Sequence, residues 1–182
     1  SAIVLSAGAF AQAPLLNGDF ETWASAFGTP EEPTNWVTAN NFANPLLTFP
    51  NANPNPTSVF KAIAPDNYQG SFSCKITTID LLFNPDPTNI PNRIGVCVLG
   101  TVQTTPSVAL VDGKPYTSRP ATFTYYAKYT PSGTDTAICF TELTRWNTTT
   151  MQRETIAAGI DVITGTVSAY GMRTLTYDYA SY

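Results

Sequence analysis

Ala121 to Thr130 reads ATFTYYAKYT. Phe123, Tyr125, Ala127 and Tyr129 alternate with Thr122, Thr124, Tyr126 and Lys128. Successive side chains of an extended strand point to opposite faces, so a period of two turns one face to a core; a helix would scatter the same residues round its circumference. The alternation recurs on both sides of this stretch. In SFSCKITTID, Ser71 to Asp80, Phe72, Cys74 and Ile76 alternate with Ser71, Ser73, Lys75 and Thr77. In DTAICFTELTRW, Asp135 to Trp146, Ile138 and Phe140 are set against Cys139, Thr141 and Leu143. Further strands are predicted at Asp19–Trp23, Asn35–Thr38, Arg93–Val102, Glu154–Ile163 and Val167–Tyr179. Pro131-Ser132-Gly133-Thr134 reads as a short hairpin turn between two of the strongest strands. Asn44 to Pro56 (NPLLTFPNANPNP) and Phe83 to Pro91 (FNPDPTNIP) read as surface loops, because proline has no amide to give to a sheet ladder. The expectation is an all-β chain: an antiparallel β-sandwich, one domain over residues 14–182.

Charged residues make up 12% of the 182 positions, about half the usual share of roughly 25%. The net charge is −4 and the nine Lys and Arg are scattered, which argues against a nucleic-acid partner, since phosphate neutralisation needs clustered cations. No apolar run reaches the ~18 residues of a membrane-spanning helix. There is no histidine, which removes a Ser-His-Asp triad, a Cys-His pair and His-ligated zinc. On these grounds the chain is expected not to be an enzyme.

Ser1 to Ala13, SAIVLSAGAFAQA, has the apolar run and the Ala-x-Ala ending of a secretory signal peptide. It reads either as the tail of such a peptide, with export to the cell surface or medium, or as a donor strand lying in a groove of another copy. Burying Ile3, Val4, Leu5 and Phe10 gives at most about 6–12 kcal/mol, against about 13–26 kcal/mol for fixing thirteen backbones. An ordered segment would therefore need ladder hydrogen bonds to an open sheet edge as well. Cys74, Cys97 and Cys139 each fall inside a predicted strand. Buried thiols packed as small hydrophobes, or one disulfide with one free thiol, are both compatible with that placement, and three single pairings exist.

The run Gly113 to Asn147, GKPYTSRPATFTYYAKYTPSGTDTAICFTELTRWN, resembles the carbohydrate-metabolism domain family of secreted and surface proteins of Bacteroidota. The residues that carry the likeness are Gly113, Pro115, Tyr116, Thr117, Arg119 and Pro120, then Lys128, Tyr129 and Pro131, then Leu143 to Asn147. The opening Asn17-Gly18-Asp19-Phe20-Glu21-Thr22-Trp23, with Trp36 after a proline-containing loop, and the strand Gly70 to Thr77 are similar to it too. The resemblance implies a jelly-roll-like sandwich, exported, with a glycan-related role and no shared catalytic set. That family closes with a further strand bearing an Asp-Asp pair; here the chain stops at Tyr182, so the expectation is a sandwich lacking its last strand and open to strand donation at that edge.

Asp19 and Glu21, two apart on a predicted strand, share a face at about 6.5–7 Å. That is near a glycosidase carboxylate spacing, but most such pairs are solvated, and jelly-roll modules often use an acidic residue here to hold a structural calcium, which makes Glu21 the metal candidate. No other cofactor is implied. Ser58-Val59-Phe60-Lys61 matches S-x-x-K without the partner motifs that chemistry needs. Among the aromatics, Tyr126, opposite in parity to Phe123 and Tyr125, and Trp146 are the candidates to stack on sugar rings, though most strand aromatics fill cores. Arg119 is expected to tie its loop to carbonyls. Asp135-Thr136-Ala137 fits an O-glycosylation pattern at Thr136, and Asn147-Thr148-Thr149 is an N-glycosylation sequon. The leading expectation is a non-catalytic extracellular structural or adhesive subunit, assembling with copies of itself into a filament through Ile3, Val4, Leu5 and Phe10. The runner-up is a carbohydrate-binding module that takes surface glycans.

Overall fold

The structure, a computed structural model, describes residues 14–25, 31–38, 40, 57–80, 92–93, 95–103 and 109–179. The fold is an all-β antiparallel sandwich, with fourteen strands among the described residues. The chain divides into two compact units, Ala13–Tyr116 and Thr117–Tyr182.

In the first unit the strands are short. β1 (Trp23–Ala24) pairs with β2 (Glu32–Pro33), β3 (Val37–Thr38) with β8 (Cys97–Val98), and β4 (Val59–Ala62) with β5 (Ser73–Ile76). β6 (Ile79–Asp80) pairs with β7 (Asn92–Arg93), and β9 (Gly100–Gln103) with β10 (Ala109–Gly113). The strand expected at Asp19–Trp23 is mostly a turn, and only Trp23 lies in a strand. Asn17 is the cause. Its side-chain amide donates to the carbonyls of Thr22 (2.9 Å) and Thr34 (3.0 Å), and its Oδ1 accepts the Thr22 amide (2.9 Å). To close this loop Asn17 and Phe20 take positive φ of 48° and 57°. A strand cannot hold such residues, and Asn is among the few types that enter this region readily. Trp36 Nε1 donates to the carbonyls of Leu16 and Asn17, and the Phe20 and Trp36 rings lie 4.9 Å apart. The Asn-Gly-Asp-Phe-Glu-Thr-Trp motif and Trp36 are therefore parts of one structural knot. The expected strand Arg93–Val102 is likewise broken into pieces of β7, β8 and β9.

The second unit is simpler. β11 (Thr122–Tyr129) pairs with β14 (Val167–Thr176), from Thr122↔Thr176 to Tyr129↔Val167. β12 (Ala137–Asn147) pairs with β13 (Gln152–Ile163), from Ala137↔Ile163 to Asn147↔Gln152. The hairpin expected at Pro131–Thr134 is not one: β11 and β12 belong to different ribbons, and the turn, with Gly133 at φ 63°, carries the chain from one to the other. The reason lies in the inward residues. Tyr125 of β11 reaches Asp161 of β13 with its hydroxyl (2.7 Å), and a Cβ at Gly159 of β13 would lie 3.3 Å from Cβ of Leu175 in β14. The two ribbons thus meet through side chains, which a shared ladder between β11 and β12 would prevent. Ala157, Ile163 and Leu175 are buried here, each of the two larger ones contributing about 1.5–3 kcal/mol. Beyond β14, Tyr177 N donates to Ala121 O (3.0 Å), and Ala158 and Asp178 form a single bridge.

Candidate functional site

Three arrangements of polar or exposed side chains stand out. The first lies between the ribbons of the second unit. Asp161 accepts from the Tyr125 hydroxyl (2.7 Å) and is forked by Arg173, whose Nη2 donates to Oδ1 (2.6 Å) and whose Nε donates to Oδ2. Tyr125 and Arg173 are register partners on β11 and β14, and Cys139 is the register partner of Asp161, so the ladders themselves bring the four together. The Arg173 hydrogen bonds, then that of Tyr125, hold the Asp161 carboxyl down at about 2, from an ordinary 3.8. Burial, then the hydrogen bond to Asp161, pushes the Tyr125 hydroxyl up. Burial also raises the Cys139 thiol. A carboxylate whose pKa is lowered by folding resists protonation only in the folded state. Its contribution is therefore complete above about 3.8 and lost as pH falls toward 2. Urea midpoints measured from pH 5 to 2 should drop across that window, and Asp161→Asn should flatten the drop. The cluster closes on itself as an ion pair with a phenol, an anchor between the two ribbons.

The second arrangement is in the first unit. Asn40 is buried, and its Oδ1 accepts the amides of Ser58 (2.8 Å) and Val59 (3.1 Å) while its Nδ2 donates to Val59 O (2.8 Å). Thr38 Oγ1 accepts the Asn40 amide (3.1 Å) and donates to Glu32 Oε2 (2.5 Å). Glu32 Oε1 is buried without a hydrogen-bond partner, and burial raises its carboxyl pKa. Cys97 and Cys74 meet beside this group: their hydrogen bond, then burial, then the charges of Cys74 and Glu32 push the Cys97 thiol up.

The third is a surface. On the β12–β13 ribbon, Ile138 faces Val162 and Phe140 faces Ile160 across the ladder. Their exposures are 63%, 44%, 56% and 62%, so the four make one outward apolar stripe. The alternation that set Ile138 and Phe140 against Cys139, Thr141 and Leu143 thus turns the first two outward. Their odd-numbered neighbours Ala137, Cys139, Thr141 and Leu143 stand opposite Ile163, Asp161, Gly159 and Ala157, of which Asp161 and Gly159 meet the other ribbon and Ile163 and Ala157 are buried. Once β13 turns that face inward, its partner's even-numbered residues must point out.

The sequence candidates are distributed as follows. Glu21 accepts the backbone amides of Ser71 (2.9 and 3.0 Å) and Phe72 (3.1 Å), and Gly70, at φ 68°, lets the chain pass: a Cβ there would lie 2.3 Å from Glu21 Oε1. It acts as a clasp on the Gly70–Phe72 turn. Among the described residues no group of three His, Cys, Asp or Glu is placed to hold a metal. Asp19 lies in the turn before it and accepts the Glu21 amide (3.4 Å), so the two do not share a strand face. Ser58 is fully buried with its amide on Asn40, and Lys61 pairs with Glu31 (2.6 Å) and lies over the Phe72 ring. Arg119 lies over the Tyr179 ring at 4.2 Å, and the Tyr179 hydroxyl donates to Pro120 O (2.7 Å). The Thr-Ser-Arg-Pro loop is thus held by stacking and by a tyrosine, where ties from Arg119 to carbonyls were expected. Tyr126 is 46% exposed and Trp146 52%, on different ribbons. Thr136 is exposed. Asn147 binds Glu154 through its amide nitrogen and accepts the Thr149 and Thr150 amides, which organises the β12–β13 turn. Ile3, Val4, Leu5 and Phe10, and both proline-rich loops, lie outside the described residues.

Among the described residues no helix is long and apolar enough to cross a membrane. No protein family, no curated protein and no solved structure matches this chain.

Proposed function

We propose that this chain is a non-catalytic, extracellular structural or adhesive subunit that assembles with copies of itself. The observation that carries this is the outward stripe of Ile138, Phe140, Ile160 and Val162. Contiguous exposed apolar residues on a rigid ladder mark interaction surfaces, because water disfavours leaving them open. Beside the stripe, β12 has no strand partner on its second edge among the described residues. An uncharged, apolar strand added there would gain ladder hydrogen bonds and bring its side chains next to Ile138 and Phe140. Ser1 to Ala13 of a second copy has that composition, with Ile3, Val4, Leu5 and Phe10 and no charged side chain.

Sedimentation and electron microscopy of the full chain test this. Assemblies should form, and Phe140→Asp combined with Ile160→Asp should weaken association about 100-fold or more, since each residue stands to bury about 1.5–3 kcal/mol. Deleting Ser1 to Ala13 should have the same effect, with the far-ultraviolet spectrum unchanged in both variants. A wild-type monomer at high concentration, or assemblies indifferent to both changes, would exclude the proposal. Exposed Tyr126 and Trp146 favour glycan binding as the second function; polysaccharide capture lost on Tyr126→Ala would support it in place of assembly.

A further inference from the structure

Cys74 and Cys97 are distant in sequence and belong to different strand pairs, β5 with β4 and β8 with β3. Two contacts bring them together. Cys74 is the largest cause of the raised pKa of the Cys97 thiol, which sets the two thiols next to each other. Two residues earlier on the one strand and two or three later on the other, a Cβ at Gly95 would lie 2.5 Å from Cγ2 of Ile76 and 2.7 Å from the Thr77 carbonyl oxygen. Gly95 thus approaches the end of the segment that carries Cys74, and Cys97 lies beside Cys74. Two thiols set side by side on adjoining segments are the starting arrangement for a disulfide, whose Cα atoms lie roughly 4.4–6.8 Å apart. Cys139 has no such neighbour among the described thiols; it faces Asp161 and the Tyr125 hydroxyl.

We infer that Cys74 and Cys97 form a structural disulfide in the mature protein and that Cys139 stays a free thiol. The oxidising setting rests on the export proposed above, but the pairing rests on the geometry alone. The oxidant is a protein or small-molecule disulfide. The Cys74 thiolate attacks one of its sulfurs, forming a mixed disulfide and expelling one thiolate. The Cys97 thiolate then attacks the Cys74 sulfur, forming the Cys74–Cys97 bond and expelling the second. Both protein protons end on the two departing thiolates, so two thiols are oxidised and one disulfide is reduced. The second attack falls to Cys97 because the first has brought a disulfide sulfur within its reach. The bond closes a loop of the chain that contains FNPDPTNIP.

The test uses the full purified chain, reduced and then incubated folded with oxidised glutathione. Alkylation in denaturant should then label one thiol where the reduced protein labels three. Peptide mapping without reductant should find the Cys74 peptide joined to the Cys97 peptide, with the label on Cys139. Cys139→Ser should keep the link. Re-reduction should lower the melting temperature by roughly 5–15 °C. Three alkylated thiols after oxidation, glutathione adducts in place of the link, or a bond that includes Cys139 would overturn the inference. None of these outcomes depends on export, which is read separately by finding the protein in the medium or on the cell surface.

Discussion

Asn40→Ala is expected to destabilise the protein by about 3–5 kcal/mol, in the upper range for a single substitution. One buried side chain satisfies three backbone groups, the amides of Ser58 and Val59 and the carbonyl of Val59, at 2.8–3.1 Å. Val59 and Ser58 are themselves fully buried, so water cannot take over. Each buried polar group left without a partner costs about 1–3 kcal/mol. Asn40→Asp should recover part of the loss, since a carboxylate still accepts both amides but cannot donate to Val59 O. Urea unfolding of the three proteins checks this, and a loss below about 1 kcal/mol for the alanine variant would show that other groups satisfy the turn.

Gly95→Ala is the second large effect, about 2–3 kcal/mol of strain. The added carbon would meet Cγ2 of Ile76 at 2.5 Å, and the Thr77 carbonyl oxygen and amide nitrogen at 2.7 and 2.9 Å. Ile76 is half exposed and can turn away. The Thr77 backbone cannot, because its amide donates to Ser58 O at 2.8 Å, and Ser58 is held by Asn40. The segment bearing Cys97 must shift instead, so the variant should also form the Cys74–Cys97 link more slowly under oxidised glutathione. Because Gly95 and Asn40 act on the same backbone through Ser58, their combined effect should depart from additivity by about 0.5 kcal/mol or more. Additive losses would separate the two sites.

Both predictions fall in the unit where sequence patterning was least informative. Alternation over ATFTYYAKYT and its neighbours announced an all-β sandwich, and β11, β13 and β14 formed close to where it placed them. It also marked Tyr126 as opposite in parity to Phe123 and Tyr125, a backbone property that needs no knowledge of the partner strand. Phe20 and Asn35, by contrast, sit in stretches that read as strands, yet both take positive φ. The side chain of Asn17 beside Phe20 finds hydrogen bonds across the loop that no local pattern records.

What the order of residues dictated was the period of two, because that follows from strand geometry alone, together with the chemistry closed to a chain without histidine. Which face of β12 became interior lay beyond it: Ala137, Cys139 and Thr141 are less apolar than the outward Ile138 and Phe140. That choice was made by β13 opposite, where Gly159 fits against Leu175, Ala157 and Ile163 are buried, and Asp161 meets Arg173 and Tyr125. A ladder fixes both strands' faces at once, so the strand with the more exacting partners decides for the other. The same holds for Cys74 and Cys97, which became neighbours only through the approach of two separate strand pairs.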